Sequence, residues 1–266
     1  MILCNEIQNS ELSTMKGTNR LATIRQLLLN DKKVLVSDLS QKFSVTEETI
    51  RRDLEKLEAE NFATRTYGGA VFNGEEIVSN IPFYKRAEKN FEQKQNIAIK
   101  TVQLLKNRST ISADSSSTVM ETLKLLKDRN DLTIVTNSTE ALRELMLSSV
   151  NILSTGGKFN KQSLSLQGTL AEQSICNYNV DTAVISCKGL DIATGITDSN
   201  EDEAKLKMRM ISQATEVILL ADSSKFNKKA FVHLTNLSNI TTIITDKEPS
   251  KEWITYLKSN QIQLIY

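Results

Sequence analysis

A chain of 266 residues is long for one small domain and suits two. With 39% hydrophobic and 24% charged residues and only 2 prolines, it reads as an ordinary globular protein, which excludes disordered and fibrous classes. Lys plus Arg is 33 against 32 Asp plus Glu, so net charge does not announce a polyanionic partner, and the widely separated Cys4, Cys176 and Cys187 fit a reducing cytoplasm better than a disulfide scaffold or a zinc site.

Residues 1–17 contain Glu6 and Glu11 and lack a continuous apolar core, so they read as a disordered leader rather than a signal peptide, with Met15 as an alternative start. No run in the chain approaches the ~18 apolar residues of a membrane span. Leu21, Ile24, Leu27 and Leu28 recur at helical spacing up to the polar break Asn30-Asp31-Lys32, and Val34-Leu35-Val36 is a short β-like run. Ser37, followed by Asp38, predicts the N-cap of a two-turn helix with Leu39 and Phe43 on its buried face. Thr46 predicts the cap of a longer helix, with Glu47 and Glu48 in its first turn and Ile50, Leu54 and Leu57 as its buried stripe. Arg51 and Arg52 fall outside that stripe. Two helices joined by a tight turn form a helix-turn-helix, and Thr64 to Ala70, alternating and then Gly-rich, reads as a wing hairpin. The pattern alone also fits a solvated helix, because Glu47 with Arg51 and Glu48 with Arg52 are i,i+4 pairs. Thr18 to Phe72 carries nine basic and eight acidic residues, a net of +1, so any DNA affinity must come from local placement.

The string itself is more specific. Val45-Thr46-Glu47-Glu48-Thr49-Ile50-Arg51-Arg52-Asp53-Leu54, then Leu57-Glu58, then Arg65-Thr66-Tyr67-Gly68-Gly69-Ala70, closely resembles the signature of DeoR-family transcription regulators. The resemblance implies that Thr46, Thr49, Arg51 and Arg52 face operator DNA, with Arg65 at the wing and Asp53 bracing an arginine. Thr46 stands where the family more often has Ser and keeps the hydroxyl. Arginine can grip guanine or phosphate, and a helix N-terminus can position phosphate.

Ile81 to Gln95 is charged and polar and reads as a connection into a helix carrying Ile97, Ala98, Thr101, Leu104 and Leu105. From Thr110 onward, β-rich runs alternate with helical stretches: Thr110 to Asp114, Leu132 to Val135, Asn151 to Leu153, Asp181 to Ser186, Glu216 to Leu220, Ile240 to Thr245 and Ile262 to Ile265. That alternation predicts βα units on a mostly parallel sheet, with ligands off the C-terminal strand ends. Small polar residues concentrate there: Asp114-Ser115-Ser116-Ser117-Thr118, Thr136-Asn137-Ser138, Thr155-Gly156-Gly157-Lys158, Ser186-Cys187-Lys188-Gly189 and Asp222-Ser223-Ser224-Lys225. Hydroxyls and amides at a helix start suit a phosphate, and lysines add charge, although each loop alone also has an ordinary capping or turn explanation.

The resemblance covers about Arg20 to Asp246 and includes Asp222 to Phe226 and Gly189 to Thr197; Ser116 stands where many relatives have Gly. It implies a sensor with the fold of the ribose-5-phosphate isomerase, glucosamine-6-phosphate deaminase and CoA-transferase group. The effector-binding residues it points to are Asp114, Ser115, Ser116, Ser117, Thr118, Asn137, Gly156, Gly157, Lys188, Glu203, Lys205 and Lys225. Asp198, Ser199 or Asn200 could equally cap a helix whose dipole Glu201 to Glu203 would favour, so Glu203 and Lys205 carry both readings.

The expected organisation is a winged helix-turn-helix at 18–73, a linker at 74–92 and an α/β effector domain at 93–266. The expected function is a cytoplasmic, sugar-phosphate-responsive operator-binding repressor, acting as a homodimer or homotetramer, without metal, cofactor or catalytic residue. The rival reading is a sugar-phosphate isomerase or deaminase fused to a DNA-binding domain. His233 is the only histidine available for acid-base work, and its apolar run reads as structural. A third reading makes the winged helix a protein-interaction module.

Overall fold

The computed structural model describes residues 17–59, 62–72 and 81–266; the leader to residue 16, including Cys4 and Met15, and residues 74–80 of the expected linker lie outside them. The chain divides into two compact units, Met1–Val78 and Ser79–Tyr266.

The first unit runs α1 (Gly17–Asp31), β1 (Lys33–Leu35), α2 (Val36–Phe43), α3 (Glu47–Ala59), β2 (Ala63–Thr66) and β3 (Gly69–Phe72). Ile24 and Leu28 of α1, Phe43 of α2 and Ile50, Leu54 and Leu57 of α3 form its buried core, the apolar faces read from their spacing. The strands form an antiparallel sheet in the order β1-β3-β2. Leu35 pairs with Gly69, and a Cβ on Gly69 would sit 2.1 Å from the Val34 carbonyl oxygen, so only glycine permits this approach. Ser37 does not cap α2. The helix begins one residue earlier, at Val36, whose amide donates to the Gly68 carbonyl in the wing turn at 2.9 Å; the wing backbone satisfies the helix start, and Ser37 Oγ donates to Asp38 instead.

The second unit begins with α4 (Phe83–Glu88) and α5 (Phe91–Leu104). The expected linker therefore contains ordered structure in its second half: Phe83, in a stretch read as polar, is buried in the core of this unit. Seven strands form one parallel sheet: β4 (Thr110–Ala113), β5 (Thr133–Thr136), β6 (Asn151–Ser154), β9 (Val180–Ser186), β12 (Ala214–Leu220), β14 (Thr242–Ile244) and β15 (Gln263–Ile265), in the order β15-β14-β12-β9-β4-β5-β6. Alternate residues serve two cores. Ala183, Ile185, Val217 and Leu219 pack with α8 (Thr169–Ile175), α9 (Glu201–Ser212) and α10 (Lys251–Ser259), while Val184, Ile218 and Leu220 pack toward α4, α5, α6 (Ser117–Leu125) and α7 (Thr139–Glu144). A parallel sheet covered on both faces explains why its central strands carry apolar runs such as Ala183 to Ile185 and Val217 to Leu220.

Two smaller features sit on this frame. One is a hairpin of β7 (Lys158–Asn160) and β8 (Ser165–Gln167); the other is an antiparallel sheet of β10 (Gly189–Asp191), β11 (Gly195–Asp198) and β13 (Val232–Thr235). His233, expected to be structural, is exposed on β13. No helix among the described residues is long and apolar enough to cross a membrane.

Candidate functional site

Helix α3 starts as its sequence predicts. Thr46 Oγ1 accepts the Thr49 amide at 3.3 Å and lies 2.9 Å from the Thr49 hydroxyl, so the cap couples two of the five residues expected at DNA. Arg51 and Arg52 are exposed, outside the buried stripe of Ile50 and Leu54. Each meets acids of its own helix: Arg51 bonds Glu47 at 2.6 Å and lies 3.7 Å from Glu48, and Arg52 lies 3.6 Å from Glu48. Arg65 on the wing strand β2 bonds Glu55 at 2.6 Å, and its amide donates to Glu58, fastening the wing to α3. Asp53 points inward and is buried, where it accepts from Arg20 Nε at 2.6 Å; the arginine it braces is that of α1.

In the second unit, parallel strands bring their C-terminal loops to one sheet edge. Asp114 ends β4, and its two carboxylate oxygens accept the Ser116 amide at 2.9 Å and the Ser186 amide at 3.0 Å, joining the β4 and β9 loops. Ser116 is the N-cap of α6, its Oγ accepting from the Val119 amide. Ser117 Oγ donates to the Arg86 carbonyl at 3.3 Å. The amides of Ser117 and Thr118, in the first turn of α6, have no intrahelical acceptor and carry the positive end of the helix dipole. Asn137, after β5, is buried and donates to the Leu166 carbonyl at 3.2 Å, while its Oδ1 has no hydrogen-bond partner among the described residues.

Gly156 and Gly157 have φ of +63° and +117°, and a Cβ on Gly157 would meet the Gln167 carbonyl oxygen at 2.7 Å and Ala171 at 3.0 Å. Packing of hairpin and helix against this turn accounts for Gly157. Asn200 caps α9 by accepting the Glu203 amide at 2.9 Å, and Glu203 is buried, accepting from Gln167 Nε2 at 3.2 Å. Lys205 is not brought to this edge; it is exposed on α9 and pairs with Glu201 at 2.7 Å.

The α9 lysine that does reach the strand ends is Lys207, which the sequence reading missed. It is buried, and its ammonium meets Asp198 at 2.6 Å, the Ser186 carbonyl at 2.8 Å and Asp114 at 3.0 Å, three acceptors for three protons. Burial alone would favour neutral Lys207, but Asp114, Asp198 and Glu203 outweigh it and hold the amine charged. Burial likewise opposes ionisation of Asp198, and Lys207 and Lys188 overcome it, keeping that carboxyl below its ordinary range.

Lys188 and Lys225 have no side-chain ion pair among the described residues. Burial, then Arg86, pushes Lys188 down to about 7 against the pull of Asp198 and Glu203. Lys94 of α5, also missed, is buried with its ammonium on the Arg86 and Lys89 carbonyls at the end of α4 and is pushed down to about 8 by burial. Arg86, Lys188 and Glu203 line one pocket with Asn160, Gln162, Ser163 and Asn200.

The family description "DeoR-like helix-turn-helix domain" matches residues 20–76 and "DeoR C terminal sensor domain" matches residues 89–247. Among curated relatives, the HTH-type transcriptional regulator YulB of Bacillus subtilis is 42% identical over 80% of this chain and 82% of its own length. The L-fucose operon activator of Haemophilus influenzae is 34% identical over 91% and 97%, and the glycerol-3-phosphate regulon repressor of Escherichia coli is 28% identical over 94% and 99%. Solved structures it is similar to include ribose 5-phosphate isomerase A of Methanocaldococcus jannaschii, at 18% identity, TM-score 0.38, over 52% of this chain and 55% of that one.

Proposed function

The chain belongs to the DeoR family of transcriptional regulators, and on that premise we propose that it is a cytoplasmic repressor of a carbohydrate-utilisation operon, released or recruited by a phosphorylated sugar bound in the second unit. Its relatives are named as a transcriptional regulator, an operon activator and a regulon repressor, not as enzymes, so the partner of the helix-turn-helix unit is operator DNA and the isomerase reading falls away. We assign Thr46, Thr49, Arg51, Arg52 and Arg65 to the DNA face. One α3 helix spans too few base pairs for useful specificity, so the working unit is a homodimer or homotetramer reading paired half-sites.

One observation carries the effector reading: the Ser117-Thr118 helix start shares a sheet edge with Lys188 and Lys225, two lysines without an ion-pair partner among the described residues. Asp114 and Lys207 brace the loops there rather than await a ligand. Replacing Ser117 and Thr118 by Ala should leave operator binding intact and remove the response to a phosphosugar that stabilises the wild type while its unphosphorylated parent does not. An unchanged response in this double variant would move the phosphate elsewhere.

A further inference from the structure

Arg86 carries a charge that nothing in the described structure neutralises. Its guanidinium is half-buried, leans on the Phe83 ring at 5.6 Å and has no carboxylate within ion-pair distance among the described residues. An arginine stays ionised at any physiological pH, so it cannot escape partial burial by losing its proton as a lysine does. It lines the pocket that holds Lys188, Glu203, Asn160, Ser163 and Asn200. Two cations face one carboxylate there, and that carboxylate is already engaged by Gln167 at 3.2 Å.

The backbone of Arg86 ties this charge to the Ser117 turn, because its carbonyl accepts both Ser117 Oγ and the Lys94 ammonium. Helix α4 is held at other points on the same edge. The Phe83 amide donates to the Gln162 carbonyl at 2.7 Å, and the Tyr84 hydroxyl donates to Glu140 at 3.3 Å. It is also the first described element after the segment that joins the two units.

We propose that Arg86 is an effector-contacting residue: with Lys188 it clasps an anionic group of the effector, making α4 part of the ligand site. This rests on the phosphosugar reading above and adds to it a specificity-determining side chain. A planar guanidinium offers a two-pronged grip on a phosphate or carboxylate oxygen pair that an ammonium does not match. A restraint on α4 acts on the chain at the point where it enters the second unit.

The test uses the full chain, with inorganic phosphate and a panel of hexose phosphates as probes and with thermal midpoint and titrated affinity as readouts. Arg86→Gln should keep the unliganded midpoint of the wild type within a few degrees and weaken binding of the stabilising probe roughly 10- to 100-fold. Arg86→Lys should recover part of that affinity, and Glu88→Gln, an exposed change on the same helix, should bind the probe like wild type. A purely structural role gives the opposite split, a lower unliganded midpoint with unchanged affinity, and overturns the proposal. So does an Arg86→Gln protein that binds the probe like wild type while Ser117→Ala with Thr118→Ala does not; that result leaves the phosphosugar reading standing. Should Arg86→Gln fail to fold, Arg86→Lys decides: wild-type affinity for the probe overturns the proposal and a severalfold weakening sustains it. If no probe stabilises the wild type, the phosphosugar reading falls and takes this inference with it.

Discussion

Replacing Lys207 by Met tests the buried ionic centre that holds the β4, β9 and β11 ends together. The Lys207, Asp114 and Asp198 side chains are 6%, 1% and 0% exposed, so the substitution leaves two interior carboxylates without the ammonium that contacts both. Removing one partner of such a group costs about 3–5 kcal/mol. At a urea m-value of about 2 kcal/mol/M, that lowers the unfolding midpoint by roughly 2 M. Trp253, the only tryptophan, is fully buried in the second unit, so its emission follows that unit through the transition. The pH dependence carries the sign. In the wild type the Asp198 pKa is depressed, so its contribution is present above the unfolded value of about 3.9 and is lost as pH falls through the folded value. Without Lys207, burial opposes ionisation of Asp198 with less to counter it, so the deficit is greatest at neutral pH and narrows on acidification toward about pH 5. A variant within about 1 kcal/mol of wild type at pH 7, or one whose deficit is the same at both pH values, would refute the reasoning.

Arg51→Ala with Arg52→Ala should weaken operator binding by about 1–3 kcal/mol for each of the two arginines that reads a base and flatten the salt dependence for each that grips a phosphate, checked by gel shift across a salt series. Gly157→Ala should destabilise the second unit by about 1–3 kcal/mol in urea, since its φ of +117° and the 2.7 Å approach to the Gln167 carbonyl both exclude a side chain. Because free Lys188 loses its proton near 7, affinity for an anionic effector should fall as pH rises through that value, and Lys188→Met should remove this component from a binding-against-pH profile.

All seven sheet strands were legible, the central ones because a parallel sheet covered on both faces favours apolar runs such as Ala183 to Ile185 or Val217 to Leu220, the half-exposed edge strands β6 and β15 because short β-rich runs there alternate with helical stretches. The hairpin β7-β8 was not. Lys158-Phe159-Asn160 is only three residues long with its one apolar side chain, Phe159, exposed, and its partner is set by the turn at 161–164 rather than by an apolar pattern. Lys205 and Lys207 look alike as letters two apart on a helix, yet about 200° of rotation separates them, sending one to solvent and the other to Asp198. Ala204 and Met210, buried on the inner face, were the available signal, since Lys207 lies between them on the helical wheel. Arg86 and Lys94 were hidden in a stretch whose polarity suggested a connection, because a polar string does not reveal that its cations turn inward.

The pairing of Arg51 and Arg52 with Glu47 and Glu48 has a consequence for the search along a genome. If α3 is the recognition helix, as proposed, pairing its arginines with its own glutamates would present a nearly neutral face to random duplex, and stray sequences would hold it weakly and briefly. On the DNA face proposed above, docking at an operator would be an exchange: each guanidinium would leave a solvent-exposed glutamate for a DNA oxygen, and the released carboxylates would repel any backbone out of register. Under that proposal, discrimination on this face would arise as much from the two glutamates as from the two arginines they cover.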